Sequence, residues 1–124
     1  MINSFHFIIY VKDQKKSVDF YKKVLKIDPF LDVPGMTEFK ISQNSVFGIM
    51  PEVGISRILE NKVDFSSDNQ IKCELYLVVD NPSESIEEFK SLGGKIISDV
   101  KLRNWGCNVG YGMDFDGNVI AFSN

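Results

Sequence analysis

The sequence is poor in the residues that mark several common classes of protein. It has two cysteines, Cys73 and Cys107, and a single histidine among 124 residues. Two isolated cysteines are too few for a disulfide framework or a zinc knuckle, so we expect reduced thiols and a cytoplasmic protein. The longest apolar runs, 5–11 and 75–79, are far shorter than the roughly 20 residues that span a bilayer. No secretory signal is expected, because no basic segment precedes the first apolar run.

An excess of positive charge is also missing. Fourteen lysines and arginines stand against seventeen aspartates and glutamates, which gives a net charge of −3 at pH 7 and a pI near 5.1. Since no basic stripe could bind phosphates, we predict no nucleic-acid partner and no membrane association. The remaining composition, with 44% hydrophobic and 12% aromatic residues, is typical of one compact globular domain.

The first half of the sequence changes from a strand pattern to a helix pattern and back. Residues 5–11 are aromatic and β-branched, which predicts a strand, and because both of its faces are apolar we expect both to be covered. Asp13 is the expected N-cap of a helix over 14–26, whose apolar residues recur at helical spacing. Three strands are predicted next, at 28–32, 36–42 and 45–50.

The second half repeats this order after a polar connector over 51–70 that has room for a short helical turn at 55–59. A strand is predicted at 73–79. Asn81-Pro82 then begins a helix over 83–92, which ends at Gly93-Gly94. Three further strands are predicted at 95–102, 108–115 and 118–123, with a tight turn at Asp116-Gly117.

The two halves align when the chain is shifted on itself by 68 residues, which places His6 on Glu74. A unit repeated only twice is not a solenoid, and each copy is too small for its own core. We therefore predict an α+β fold of two βαβββ modules, at 4–50 and 71–124, that form one curved mixed sheet. The helices are expected on the convex face and a ligand cavity on the concave face.

Side chains of the first strand of each module are expected to line this cavity. Aromatic residues elsewhere could add walls that stack on a flat or cationic ligand, although ordinary core packing explains each of them equally well. The candidate ligand-binding residues are His6, Ile8, Tyr10, Glu74, Tyr76, Trp105 and Tyr111.

Glu74 is the candidate catalytic residue. A carboxylate within an apolar strand is costly to bury unpaired, so it faces a wet cavity, pairs with His6, or acts as a base with a raised pKa. A strand register shifted by one residue would instead point Cys73 inward. His6 itself either contacts a ligand or is a buried histidine bonded to a neighbour such as Glu74.

Two segments resemble the vicinal oxygen chelate superfamily, which includes glyoxalases, bleomycin-resistance proteins and extradiol dioxygenases. The opening FHFIIYVKDQKKSVDFYKKVL is similar in its strand that begins with histidine, its Val-x-Asp and its helical Phe-Tyr. The ending WGCNVGYGMDFDGNVIAFSN is similar to the closing motif of that superfamily. The resemblance covers nearly the whole chain and implies the fold, but the superfamily contains both enzymes and metal-free binding proteins.

The resemblance also identifies the positions of a metal site. In metal-using members, the first strand of each module supplies one ligand and the last strand supplies a carboxylate. The matching positions here are His6, Gly48, Glu74 and Ala121. Glycine and alanine have no donor atom, so two of the four ligands are missing and we expect neither a metal nor another cofactor.

These observations favour a protein of the bleomycin-resistance type that sequesters a small organic ligand, such as a cationic aromatic antibiotic. The alternative is a metal-dependent lyase, isomerase or thiol transferase similar to glyoxalase I, and a third option is metal-free catalysis with Glu74 as general base. The resemblance further implies a homodimer, because a second subunit completes the pocket in many short relatives.

Overall fold

The computed structural model describes residues 5–58, 61, 73–103 and 106–124. The chain divides into two compact units, Met1–Asp68 and Asn69–Asn124. The elements of the first unit are β1 Phe5–Val11, α1 Gln14–Leu25, β2 Leu31–Val33, β3 Met36–Ser42, β4 Ser45–Pro51 and α2 Glu52–Ile58. Those of the second unit are β5 Glu74–Val78, α3 Pro82–Ser91, β6 Lys95–Leu102, β7 Asn108–Met113 and β8 Val119–Ser123. The predicted α+β class and the repeated βαβββ order are confirmed.

The first unit contains a four-stranded mixed sheet in the order β1-β4-β3-β2. β1 and β4 are parallel, whereas the other neighbours are antiparallel. α1 begins at the predicted N-cap, since the Asp13 carboxylate accepts a hydrogen bond from the backbone N–H of Lys16 at 3.0 Å. The helix ends at Lys26, which adopts a left-handed conformation.

The hydrophobic core of the first unit lies between α1 and one face of this sheet. The rings of Tyr21 and Phe47 are 4.9 Å apart and join the helix to β4. The register places the buried side chains of Ile9, Phe39 and Ile49 on the same face as Phe47. The predicted cover on both faces of β1 is incomplete on the other face, where Ile8 is 37% exposed. Apolar side chains are common on protein surfaces, so an apolar strand face does not by itself require a cover.

The second unit contains a separate four-stranded mixed sheet in the order β5-β8-β7-β6, with β5 and β8 parallel. The strands therefore form two sheets, one in each unit, where the sequence predicted a single shared sheet. α3 begins at the predicted Asn81 cap, whose side chain accepts from the backbone N–H of Glu84 at 3.2 Å. Phe89 of this helix packs so closely on Gly112 that a Cβ atom there would overlap its ring.

Two elements depart most from their predicted bounds. β2 is only three residues long and begins at Leu31, three residues later than predicted. Pro29 lacks the N–H that a strand ladder requires, and the pairing with β3 begins at Phe30, whose N–H donates to the carbonyl of Glu38 at 3.0 Å. The helical turn predicted in the connector is the longer helix α2, which follows β4 directly.

The predicted turn between β7 and β8 is held by the side chain of Asp114. Its carboxylate accepts hydrogen bonds from the backbone N–H groups of Asp116 and Asn118, at 2.9 and 2.8 Å, and from the Asn118 amide at 2.9 Å. These polar groups are buried and satisfy one another. Among the described residues, no helix is long and apolar enough to cross a membrane.

Candidate functional site

In the first unit, the sheet face opposite the core brings together a histidine and a glutamate. The register aligns Ile8 of β1 with Gly48 of β4, and Gly48 with Glu38 of β3. His6 is two residues before Ile8 and therefore projects from the same face. Its Nδ1 lies 3.0 Å from Oε2 of Glu38. The two side chains thus meet diagonally across the central strand.

Gly48 makes this contact possible. It has no side chain to separate Glu38 from β1, and it is buried beneath its neighbours. A Cβ atom at position 48 would lie 3.0 Å from Cγ1 of Ile8 and 3.6 Å from Sδ of Met36. Any larger residue at this position would have to displace Ile8.

The carboxylate of Glu38 determines how His6 presents its ring. The side chain of His6 is 44% exposed and that of Glu38 only 16%. When His6 is neutral, Nδ1 carries the proton and donates it to Glu38, so that Nε2 is an acceptor. The neighbour that is bonded to His6 is therefore Glu38, a residue that the sequence analysis missed. The alternation of Met36, Glu38 and Lys40 along β3 could have identified Glu38 as an acid on this face.

In the second unit, the equivalent face carries Glu74, Tyr76 and Val78. It lies away from α3, because the alternate residues of the same sheet contact that helix, as in the 5.5 Å ring pair of Phe89 and Phe122. Tyr76 is 44% exposed and Val78 is 75% exposed. Glu74 is also exposed, so water can stabilise its charge and the cost of burial does not apply.

The register places Tyr76 beside Ala121, and Ala121 beside Tyr111. Ala121 is fully buried, whereas both tyrosines are accessible. The two phenol rings therefore project from β5 and β7, the strands on either side of the small residue Ala121 in β8. Trp105, the other aromatic candidate, lies outside the described residues.

Cys73 lies just before β5 and points to the face opposite Glu74. Its thiol donates to Oδ1 of Asn118 at 3.5 Å. Burial raises the pKa of Cys73 from 9.0 to about 12, and the nearby carboxylates of Asp114 and Glu74 add to the effect. The thiol is therefore neutral at physiological pH, which makes it a poor nucleophile and a poor metal ligand.

A separate cavity of about 670 Å³ opens on the helix side of the first unit, between the start of α1 and the hairpin of β2 and β3. Gln14 links these elements, since its amide donates to the carbonyl of Val33 at 2.8 Å and accepts from the N–H of Gly35 at 2.9 Å. None of the predicted site residues that the structure describes lines this cavity.

Comparison with known proteins assigns the family. A profile of the glyoxalase-like domain matches residues 5–124. The chain belongs to the glyoxalase-like family. The predicted membership of the wider superfamily is thereby confirmed, while the match to the family leaves the activity open. No curated protein matches this glyoxalase-like chain.

Solved structures share the fold of this glyoxalase-like protein. A glyoxalase/bleomycin resistance protein/dioxygenase family enzyme from Burkholderia phytofirmans is similar with a TM-score of 0.83 and 17% identity, over 96% of this chain and 95% of that one. A glyoxalase-related enzyme from Fulvimarina pelagi has a TM-score of 0.83 and 15% identity, over 99% and 88% of the chains. A hypothetical protein from S. aureus has a TM-score of 0.78 and 19% identity, over 99% and 94%. At these identities the likeness shows the fold alone.

The donors present in this glyoxalase-like protein do not fit the metal site of its metal-using relatives. Across the described part of the chain, no three His, Cys, Asp or Glu side chains are grouped so that they could hold one ion. His6 and Glu38 supply two donors, whereas a zinc site draws three or four from the protein. The positions of the two expected carboxylates, Gly48 and Ala121, are both buried within their sheets.

Proposed function

We propose that this glyoxalase-like protein binds a small organic molecule and sequesters it without a bound metal ion. The observation that carries the proposal is the replacement of both expected carboxylates by residues without donor atoms, at buried Gly48 and Ala121. Apolar and aromatic side chains are accessible on the strands beside them, including Ile8 and Tyr76. Such surfaces with a few polar groups are typical of small-molecule sites.

The ligand class that we propose is a cationic aromatic compound, and binding an antibiotic of this class would make the protein a resistance factor. Glu38 supplies a carboxylate in the first unit, and Glu74 supplies one in the second. Tyr10 lies on the strand face of His6 in β1, and Tyr76 lies on the strand face of Glu74 in β5. Each tyrosine offers a ring for stacking and for cation–π contact. The net charge of −3 also favours the approach of a cation.

The test is a titration of the purified protein with a panel of cationic aromatic antibiotics. Binding is followed by calorimetry and by the fluorescence of Trp105, the only tryptophan in the sequence. We expect saturable binding that Glu38→Gln or Glu74→Gln weakens, while Glu87→Gln, the same change at an exposed position of α3, serves as the matched control. Silence across the panel together with turnover of a thiol adduct would overturn the proposal.

The enzymatic alternatives are tested separately. A metal-dependent lyase or isomerase needs more donors than His6 and Glu38, so we expect zinc, nickel and magnesium at background level after purification. About one tightly held ion per chain would instead favour this alternative. Metal-free catalysis with Glu74 as base would be rejected if Glu74→Gln left the turnover of a true substrate unchanged.

We also propose that the protein is a cytoplasmic homodimer. The free thiols of Cys73 and Cys107 suit a reducing compartment. The high exposure of Val78 suits a surface that a second copy covers. Light scattering at several concentrations tests this, and a monomer at all of them would refute it.

A further inference from the structure

Arg103 follows β6 in the second unit, and neutral groups hold its guanidinium in place. Nε donates to the carbonyl oxygen of Val109 at 3.1 Å. Nη2 lies within hydrogen-bond distance of the same carbonyl at 2.8 Å, of Ser98 Oγ at 2.9 Å and of the Asp99 carbonyl at 3.3 Å. These acceptors belong to β6 and β7, so the side chain is fixed across two strands.

The charge of Arg103 is not balanced by an acid in this part of the structure. No carboxylate among the described residues lies within ion-pair distance of the guanidinium, and Asp99 contributes only its backbone carbonyl. All the hydrogen bonds use Nε and Nη2, which leaves Nη1 without an acceptor among the described residues. A half-buried and permanent cation with an unused donor edge favours an anionic ligand.

An aromatic ring lies directly beneath this cation. The guanidinium carbon of Arg103 is 5.1 Å from the centre of the Tyr111 ring. Tyr111 pairs with Ser98 on one side and with Ala121 on the other, so it lies on the same face as the accessible ring of Tyr76. A fixed positive charge and two phenol rings therefore share the sheet face that points away from α3.

We propose that Arg103 binds the carboxylate of a small aromatic ligand whose ring lies against Tyr111. The inference deepens the proposed function, since it rests on the protein being a small-molecule binder and adds an anionic group to the ligand. A zwitterionic aromatic compound satisfies both Arg103 and Glu74, the acid of the proposed function that lies on the same sheet face of the second unit. The guanidinium is already ordered by β6 and β7, so little side-chain entropy is lost when the anion binds.

A purely structural role for Arg103 makes a different prediction. In that role the side chain only ties β6 to β7 near the irregular pairing around Ser98. Substitution would then lower the stability of the second unit, but organic anions would have no preference for this place. The binding of an organic anion to the unaltered protein therefore distinguishes the ligand-binding role from the structural role, and no variant is needed.

The experiment is an NMR titration of the full chain with benzoate, and with benzamide as the neutral match, at constant ionic strength. We expect benzoate to shift the Arg103 Nε–H signal and the Tyr111 ring signals saturably, and benzamide to bind at least about tenfold more weakly. Equal affinities for benzoate and benzamide, or shifts that do not involve Arg103, would overturn the proposal. Tighter binding of inorganic phosphate than of benzoate would overturn the choice of a carboxylate.

Two variants complete the test. Arg103→Lys keeps the charge and loses the planar fork, and Tyr111→Leu removes the ring and leaves the cation. Each should weaken benzoate at least about fivefold while the amide spectrum of the rest of the second unit is retained. Benzoate binding without any response to the cationic panel would support Arg103 and contradict the cationic class. Binding of the cationic panel without any binding of benzoate would refute only the role of Arg103.

Discussion

The proposed function has no bound metal ion, in part because Gly48 supplies no carboxylate. Replacing Gly48 by glutamate tests this reasoning directly. The new side chain would rise from the central strand between Ile8 and Glu38, on the face that carries His6. It would add a third donor to a pair whose atoms are already 3.0 Å apart. Three protein donors are the number found in catalytic zinc sites.

The cost of this substitution follows from the local packing. A Cβ atom at position 48 would lie 3.0 Å from Cγ1 of Ile8, which is tighter than ordinary contact. Ile8 is 37% exposed and can rotate toward solvent, so we expect a loss at the lower end of the about 1–3 kcal/mol typical of overpacking. In a domain of this size, each kcal/mol lowers Tm by about 3–5 °C.

The assay is zinc competition against a chelating dye, with urea denaturation of the zinc-free proteins to measure the packing cost alone. We expect Gly48→Glu to bind zinc at least about tenfold more tightly than the unaltered protein, which is about 1.4 kcal/mol. Gly48→Gln is the matched control, because it has nearly the same size and should carry the packing cost without the gain in zinc affinity. Equal zinc affinity in the unaltered protein and Gly48→Glu would refute the reasoning, as would an unchanged stability.

Three further predictions concern the second unit. The pKa of Cys73 is raised to about 12 against 9.0 for a free thiol, so unfolding should become easier as pH rises from 9 toward 12, and Cys73→Ala should flatten this fall in urea titrations. An unchanged pH dependence in that variant would contradict the raised pKa. Gly112→Ala should cost at least about 2 kcal/mol because its methyl group would overlap Phe89, whereas Gly54→Ala in α2 should be neutral or slightly stabilising; similar melting temperatures for both would refute the packing argument. Asp114→Ala should cost about 2–4 kcal/mol, measured by urea denaturation, because it leaves buried N–H groups of the turn unpaired; a loss below 1 kcal/mol would contradict that account.

The two units present different polar side chains on their sheets. The first unit presents a histidine oriented by a carboxylate, whereas the second presents an arginine fixed above a tyrosine. A twofold repeat would be expected to give matching groups at matching positions. The aligned residues His6 and Glu74 instead differ in side-chain chemistry, so each unit presents its own set of polar groups.

Much of the fold could be predicted because its determinants are local. Asp13 and Asn81 cap their helices through hydrogen bonds to residues three positions away, so short sequence patterns suffice to identify them. The order of strands follows from period-two alternation and from turn residues such as Gly117. The repeat at 68 residues then predicts two similar modules. Membership of the family followed from motifs of the same kind.

The candidate site was harder to predict from the sequence, because its contacts depend on strand register. His6 meets Glu38, a residue 32 positions away, only because β4 lies between their strands and has a glycine at the crossing point. Arg103 is held by β6 and β7 through backbone carbonyls. Because every residue has a backbone carbonyl, the sequence does not predict which ones accept these hydrogen bonds. Side-chain type, spacing and caps are properties of the chain itself, whereas the pairing of distant residues is selected by the packing free energy of the whole sheet.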